Sequence, residues 1–134
     1  MASIFTRIVE GSAPAHRVLE DERHLAFLEA SPLAEGHTLV IPKKETDYLF
    51  DLEDAELSAL MVFAKRTAAG IRRAVDCQKV AVLVYGLMVR HAHVHLVPVR
   101  GIPGELNLSN AKKADDARLE RTAARIREAL ASSR

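Results

Sequence analysis

The run His91-Ala92-His93-Val94-His95-Leu96-Val97-Pro98 gathers three of the chain's six histidines into five residues. Side chains alternate across a β-strand, so positions 91, 93 and 95 share one face and Ala92, Val94 and Leu96 the other. One face carries chemistry and the other belongs to a core. The alternation predicts a strand from Arg90 to Val99.

Working outward, Lys79 to Tyr85 is nearly all apolar, which predicts a strand buried on both faces. Arg17 to Glu20 and His24 to Leu28 flank the polar Asp21-Glu22-Arg23 and read as a hairpin, and Thr38 to Ile41 is a further strand stopped by Pro42. From Leu52 to Val75 the apolar residues Leu57, Leu60, Met61, Ala64, Ala68, Ile71 and Val75 recur every three or four positions, which is one face of a long helix. Asp51, Glu53, Asp54 and Glu56 stand at its start and Arg72-Arg73 at its end, as the helix dipole favours. After the Gly/Pro-rich passage from Gly101 to Gly104, Leu119, Ala123, Ile126 and Leu130 mark a C-terminal helix over about residues 115–131. Strands, helix, strands, helix is the order of an α+β protein, an antiparallel sheet with helices packed on it.

The composition narrows the class of protein. A chain of 134 residues, 49% hydrophobic and 28% charged, suffices for one core and shows no Pro/Gly/Ser-rich linker, so it reads as one domain over residues 1–134. Nineteen basic residues against eighteen acidic ones leave a formal charge of +1, and the basic residues cluster only in pairs such as Lys112-Lys113. With four Phe, two Tyr and no Trp, there is neither the charge nor the stacking surface of a nucleic-acid binder. The longest apolar stretch, Val80 to Val89, contains Tyr85 and Gly86 and is too short to cross a bilayer. No signal-peptide core is visible after Met1, and Cys77 has no partner, so the expected setting is a reducing cytoplasm.

Three chemistries suit a row of histidines on one strand. A His-x-His pair can supply two imidazoles to zinc, but Leu96 to Ile102 offers no further ligand, and positions 91 and 95 lie about 13 Å apart on a regular strand. Satisfied core or surface histidines are the plainest alternative. Phosphoryl chemistry uses the row most fully: a neutral imidazole attacks phosphorus while a neighbour donates to the phosphate oxygens, each ring held in one tautomer by a bond at its other nitrogen. His37, in Gly36-His37-Thr38-Leu39-Val40-Ile41-Pro42, begins another strand and is a candidate proton donor to the leaving group.

At this level of detail the sequence resembles a known family. His91-Ala92-His93-Val94-His95-Leu96-Val97 matches His-φ-His-φ-His-φ-φ, where φ is hydrophobic, the signature of the histidine triad (HIT) superfamily of nucleotide hydrolases and transferases. Ile4-Phe5-Thr6-Arg7-Ile8-Val9, Glu20-Asp21, Leu25-Ala26-Phe27-Leu28-Glu29-Ala30-Ser31-Pro32 and Gly36 to Lys44 follow the family's N-terminal pattern in order, so the likeness covers about residues 3–100. It implies a five-stranded antiparallel sheet with one long central helix and a C-terminal helix, and a homodimer whose sheets join into ten strands. It also implies a role for each histidine. His93 would attack the α-phosphorus of a nucleotide phosphoramidate, dinucleoside polyphosphate or related nucleotide, giving a nucleotidyl-histidine that water resolves. His95 would hold the phosphate oxygens, His91 would orient the catalytic strand, and His37 would belong to the proton network. Phe5, Ile8, Phe27 and Leu28 match the base pocket, Glu29 the place of a ribose-binding Asp, Gly86 and Met88 the loop beside the phosphate, and Ala30 is a further nucleotide-binding position. The substrate is then a purine nucleotide or nucleotide conjugate, and the chemistry needs no cofactor and no metal.

Two departures from the family pattern lie near the chemistry. Relatives commonly carry Gly-Gln-Ser/Thr-Val before the triad, where this chain reads Gly86-Leu87-Met88-Val89. Some hold structural zinc through an N-terminal Cys-x-x-Cys, and here Ser3 and Thr6 stand at those positions. Two other readings therefore stay beside the enzyme: a catalytically weakened nucleotide-binding module, and a metal-dependent hydrolase using His91, His93 or His95 with His37.

Overall fold

A computed structural model describes residues 2–132. In chain order the elements are α1 (Ile4–Glu10), β1 (Arg17–Glu20), β2 (His24–Leu28), β3 (Thr38–Pro42), α2 (Asp54–Ala74), β4 (Lys79–Leu83), β5 (Val94–Val99) and α3 (Asp116–Ala131). The five strands form one antiparallel sheet in the order β1-β2-β3-β5-β4. β5 thus sits between β3 and β4, with His95 opposite Leu39 on one side and Leu83 on the other.

Strand alternation divides the core into two layers. Ala26, Leu28, Val40, Ala92, Val94 and Leu96 point to one face and pack with Leu60, Phe63, Ala64 and Ile71 of α2 and Leu119, Ala123 and Ile126 of α3. Leu25, Phe27, Leu39 and Ile41 point to the opposite face, where Phe5 and Ile8 of α1 cover them. Burying both faces explains why, after His24 and Thr38, the β2 and β3 sequences run apolar rather than alternating.

The helices begin and end where local chemistry directs. Ser3 caps α1 by accepting the Thr6 N–H, and Gly11 closes it at φ +85°, a left-handed conformation that suits glycine. At the start of α2 the Glu56 carboxylate accepts the Glu53 N–H at 3.0 Å, and its buried stripe is Leu60, Phe63, Ala64, Thr67, Gly70 and Ile71. Asp115 caps α3 through the Ala117 N–H. Met61, expected on the inner stripe, faces outward at 37% exposure.

Two strand expectations need correction. The histidine strand begins at Val94, not Arg90; His91 and His93 precede it outside the ladder. Their alternation persists nonetheless, because the Ala92 N–H is held by the Thr46 carbonyl at 2.7 Å. Lys79 to Tyr85 is not buried on both faces. β4 is the sheet's edge, and Val82 is 54% exposed, because an apolar run looks the same whether a neighbouring strand of the chain covers it or not. No spacing in the sequence marks α1, since a seven-residue element shows barely two turns of periodicity.

Candidate active site

Four histidines from three parts of the chain converge on the α1 side of the sheet. His91 and His93 come from the segment leading into β5, His95 from β5 itself, and His37 from the residue before β3. All four are buried, His91 completely. Gly36 sets His37 in place: its φ is +93°, and a Cβ there would come within 2.9 Å of the Val75 side chain. A side chain at 36 would be strained and crowded together.

Hydrogen bonds assign the tautomer of each ring. The Nδ1 of His37 accepts the Leu33 backbone N–H at 3.0 Å. A neutral His37 therefore carries its proton on Nε2, which lies 2.9 Å from the Nδ1 of His95. That nitrogen accepts, so the neutral His95 ring carries its proton on Nε2. His93 is arranged in the opposite sense. Its Nδ1–H donates to the His91 carbonyl at 2.7 Å, which leaves the lone pair on Nε2. The two free ring positions are thus an acceptor on His93 and a donor on His95, on rings whose centroids are 5.0 Å apart. Among the described residues no buried side-chain nitrogen or oxygen lacks a partner, so these two free nitrogens keep an opening to solvent.

His91 is held at both ring nitrogens. Its Nε2–H donates to the Pro42 carbonyl at 2.8 Å, and its Nδ1 lies 2.8 Å from the Ser3 hydroxyl. Burial pushes all four rings toward the neutral form. It lowers His37 to about 3, helped by the charge that His95 would carry, and His95 to about 4, with His93 as the second cause. His93 and His91 are lowered chiefly by burial too, opposed by their bonds to the His91 and Pro42 carbonyls. All four are neutral at pH 7.

A cleft of about 550 Å³ opens beside α1, and none of the four histidines lines it. Phe5 links the two: it lines the cleft and packs edge-on against the His93 ring at a centroid distance of 4.9 Å. Ile8, Phe27, Leu28 and Leu39 continue the apolar lining, while Glu29 and Ala30 at the end of β2 and Asp116 and Leu119 of α3 close it. The lining contains no Lys or Arg. Burial raises the Glu29 carboxyl above its ordinary value, partly offset by the Ser31 N–H.

A model of the HIT domain matches residues 10–102. The chain belongs to the HIT family. It is similar to an uncharacterised HIT-like protein of Mycoplasma genitalium, 32% identical over 122 residues that cover 84% of this chain and 86% of that protein. The adenosine 5'-monophosphoramidase of Saccharomyces cerevisiae is 35% identical over 102 residues, 74% of this chain and 63% of the yeast protein. In structure the chain resembles a hypothetical histidine triad nucleotide-binding protein of Sulfolobus tokodaii, with a TM-score of 0.86 and 27% identity, covering 96% of this chain and 92% of that one. The five-stranded sheet with its packed helices is the HIT fold.

Of the residues expected to line a nucleotide site in this HIT protein, Phe5, Ile8, Phe27, Leu28, Glu29 and Ala30 lie in the one cleft. Gly86 and Met88 do not line it. Gly86 turns at φ +79°, and Met88 is 79% exposed. Sequence reasoning missed Ile4, the Ala13 to His16 loop and Asp116, which approach from segments distant in the chain and carry no motif. Ser3 and Thr6, standing where some relatives have cysteines, are hydrogen-bonded to one another at 3.4 Å, and both reach Glu45. No group of three or more His, Cys, Asp or Glu with metal-holding geometry exists among the described residues.

Proposed function

We propose that this HIT protein hydrolyses or transfers at the α-phosphate of a purine nucleotide conjugate, through a nucleotidyl intermediate on His93. The observation that carries this reading is the pairing of opposite tautomers, a free Nε2 lone pair on His93 beside a free Nε2–H on His95. Nucleophile and electrophilic support are set before any substrate arrives, and such preorganisation is where enzymes find much of their rate.

In the proposed sequence the base lies in the cleft against Phe5, Ile8 and Phe27, and the ribose hydroxyls reach Glu29. The His93 Nε2 attacks phosphorus, and the bond to the leaving group breaks. Positive charge spreads over the His93 ring and is stabilised at Nδ1–H by the His91 carbonyl. His95 donates a hydrogen bond from Nε2 to the phosphate oxygens and keeps its proton, and the leaving amine departs with a proton taken up from solvent. His37 acts through His95: its own proton is held at the His95 Nδ1, so it fixes the donor instead of handing a proton to the leaving group directly. Water then attacks the same phosphorus, the bond to Nε2 breaks, and a proton is released to solvent as neutral His93 is restored.

A phosphoramidate leaving group is favoured because the yeast relative is a monophosphoramidase. We place the protein in the cytoplasm as a homodimer in which β4 pairs with its counterpart, since Val82, Val84 and Tyr85 leave an apolar edge exposed. A second reading, a weakened nucleotide-binding module, draws on Leu87 and Met88, which bring no side-chain donor beside the triad and are 74% and 79% exposed.

Following AMP release from adenosine 5'-phosphoramidate and from diadenosine polyphosphates by chromatography separates the readings. Release by the wild type and its loss in His93→Ala are expected. AMP binding without release from any of these substrates favours the module.

A further inference from the structure

Beyond the four histidines, a polar chain runs from the surface to the nucleophile along a path the mechanism has not used. The Glu45 Oε1 accepts the Ser3 backbone N–H at 2.7 Å and the Thr6 hydroxyl at 2.6 Å. The Ser3 hydroxyl oxygen accepts the Thr6 N–H at 3.0 Å. Because the Thr6 hydroxyl proton is directed at a carboxylate, it is not available to His91, from which its oxygen lies 3.4 Å away. The Ser3 hydroxyl proton has two acceptors within reach, the Thr6 hydroxyl oxygen at 3.4 Å and the His91 Nδ1 at 2.8 Å, and the shorter contact takes it. Nδ1 accepts there, in agreement with the Pro42 carbonyl, which can only accept and so by itself requires the His91 proton on Nε2. The polarity of the chain is consistent at every link, from an exposed carboxylate to a fully buried ring.

We infer that Glu45 is a positioning residue for catalysis: through Thr6 and Ser3 it holds the Nδ1 edge of His91 in place, while the Pro42 carbonyl sets the tautomer and the His91 backbone carbonyl holds the His93 ring. Three segments far apart in sequence meet in this chain, namely the α1 N-terminus, the loop after β3 and the lead into β5. α1 also carries Phe5, which packs on the His91 and His93 rings at centroid distances of 5.8 and 4.9 Å. The Glu45 carboxylate thus registers the base cleft against the nucleophile. It follows directly on the Gly36 to Lys44 stretch that resembles the family's pattern, and no spacing in the sequence points to it.

The inference rests on His93 as nucleophile for its kinetic consequence, and not for its structural one. Two measurements keep them apart. Nitrogen-15 shifts of the imidazoles in the free protein report the His91 tautomer without any substrate. Wild type is expected to show His91 protonated at Nε2 and His93 at Nδ1. Ser3→Ala and Glu45→Ala should shift the His91 Nδ1 resonance, because its hydrogen bond is removed or loosened while Nε2 stays protonated toward Pro42, whereas Glu45→Gln, whose amide oxygen still accepts, should keep the wild-type pattern. In phosphoramidate hydrolysis, Ser3→Ala and Glu45→Ala should lower kcat about tenfold, the scale of one lost oriented hydrogen bond, with KM unchanged and Glu45→Gln close to wild type. Unaltered His91 shifts in both Ala variants overturn the inference. So does a loss of kcat that appears only with a matching loss of thermal stability and fails to recover in Glu45→Gln. Absence of turnover in the wild type defeats the nucleophile reading, and the imidazole shifts then still decide the role of Glu45.

Discussion

The Nδ1–H of His93 donates to the backbone carbonyl of His91 at 2.7 Å. This one contact leaves Nε2 as the free basic position of the ring, and it ties the reactive side chain to a backbone atom that a fully buried neighbour holds still. The three histidines are therefore not equivalent copies of a ligand. One supplies a carbonyl and an anchor, one a lone pair, and one a proton donor set by His37.

The His37 and His95 pair makes stability depend on pH in a defined direction. Their folded values lie near 3 and 4 and their ordinary value is 6.5, so between about pH 6.5 and 4 the unfolded chain binds protons that the folded one refuses. Folding stability is fully present above pH 6.5 and falls as the solution is acidified through that window, by at most about 1.4 kcal/mol per pH unit for each group. Urea unfolding from pH 7.5 to 4.5 should show this slope, and His37→Asn should reduce it. An unchanged slope in that variant counts against the assignment.

Catalysis should tolerate more acid than a free imidazole would. The His93 value is lowered by burial, so the neutral nucleophile persists below pH 6.5, and the acid limb of kcat/KM should fall below that point. A limb centred at or above pH 6.5 contradicts a buried nucleophile.

Phe5 should serve stability and site together. It is 7% exposed and meets Phe27, His91 and His93 edge-on. Phe5→Ala should cost about 3 to 5 kcal/mol by denaturant unfolding, because it empties the small core layer between α1 and the sheet. Phe5→Leu should recover most of that stability while still weakening nucleotide binding, measured by calorimetry.

Much of this architecture was legible because it depends on local rules. The α2 stripe, the Arg17 to Leu28 hairpin and the alternation around the triad are written in side-chain periods, and the observed α2 ends lie within two residues of Leu52 and Val75. The strand limits around β5 were not, because whether His91 and His93 join a ladder depends on where β3 ends and on the Thr46 carbonyl that takes the Ala92 N–H. The edge position of β4 was hidden for a related reason: topology, not composition, determines which apolar strand lacks a neighbour. At the site, the histidines carried a motif, while Ser3, Thr6 and Glu45 are ordinary polar residues whose arrangement emerges only in three dimensions.

Glu29 gives a sharper test of how the cleft is used. If it receives the ribose hydroxyls, Glu29→Ala should raise KM for a ribonucleotide substrate about tenfold with kcat little changed, the scale of a lost hydrogen bond to a charged group. A 2'-deoxy substrate should show a smaller difference between wild type and variant. Equal effects on both substrates place Glu29 outside ribose recognition.

The central claim is a covalent bond from phosphorus to His93. Protein mixed with adenosine 5'-phosphoramidate, quenched within the first turnovers and weighed intact, should carry one adenylyl group in the wild type and none in His93→Ala. An adduct that persists in His93→Ala, or rapid turnover by the wild type with no trapped adduct, contradicts it.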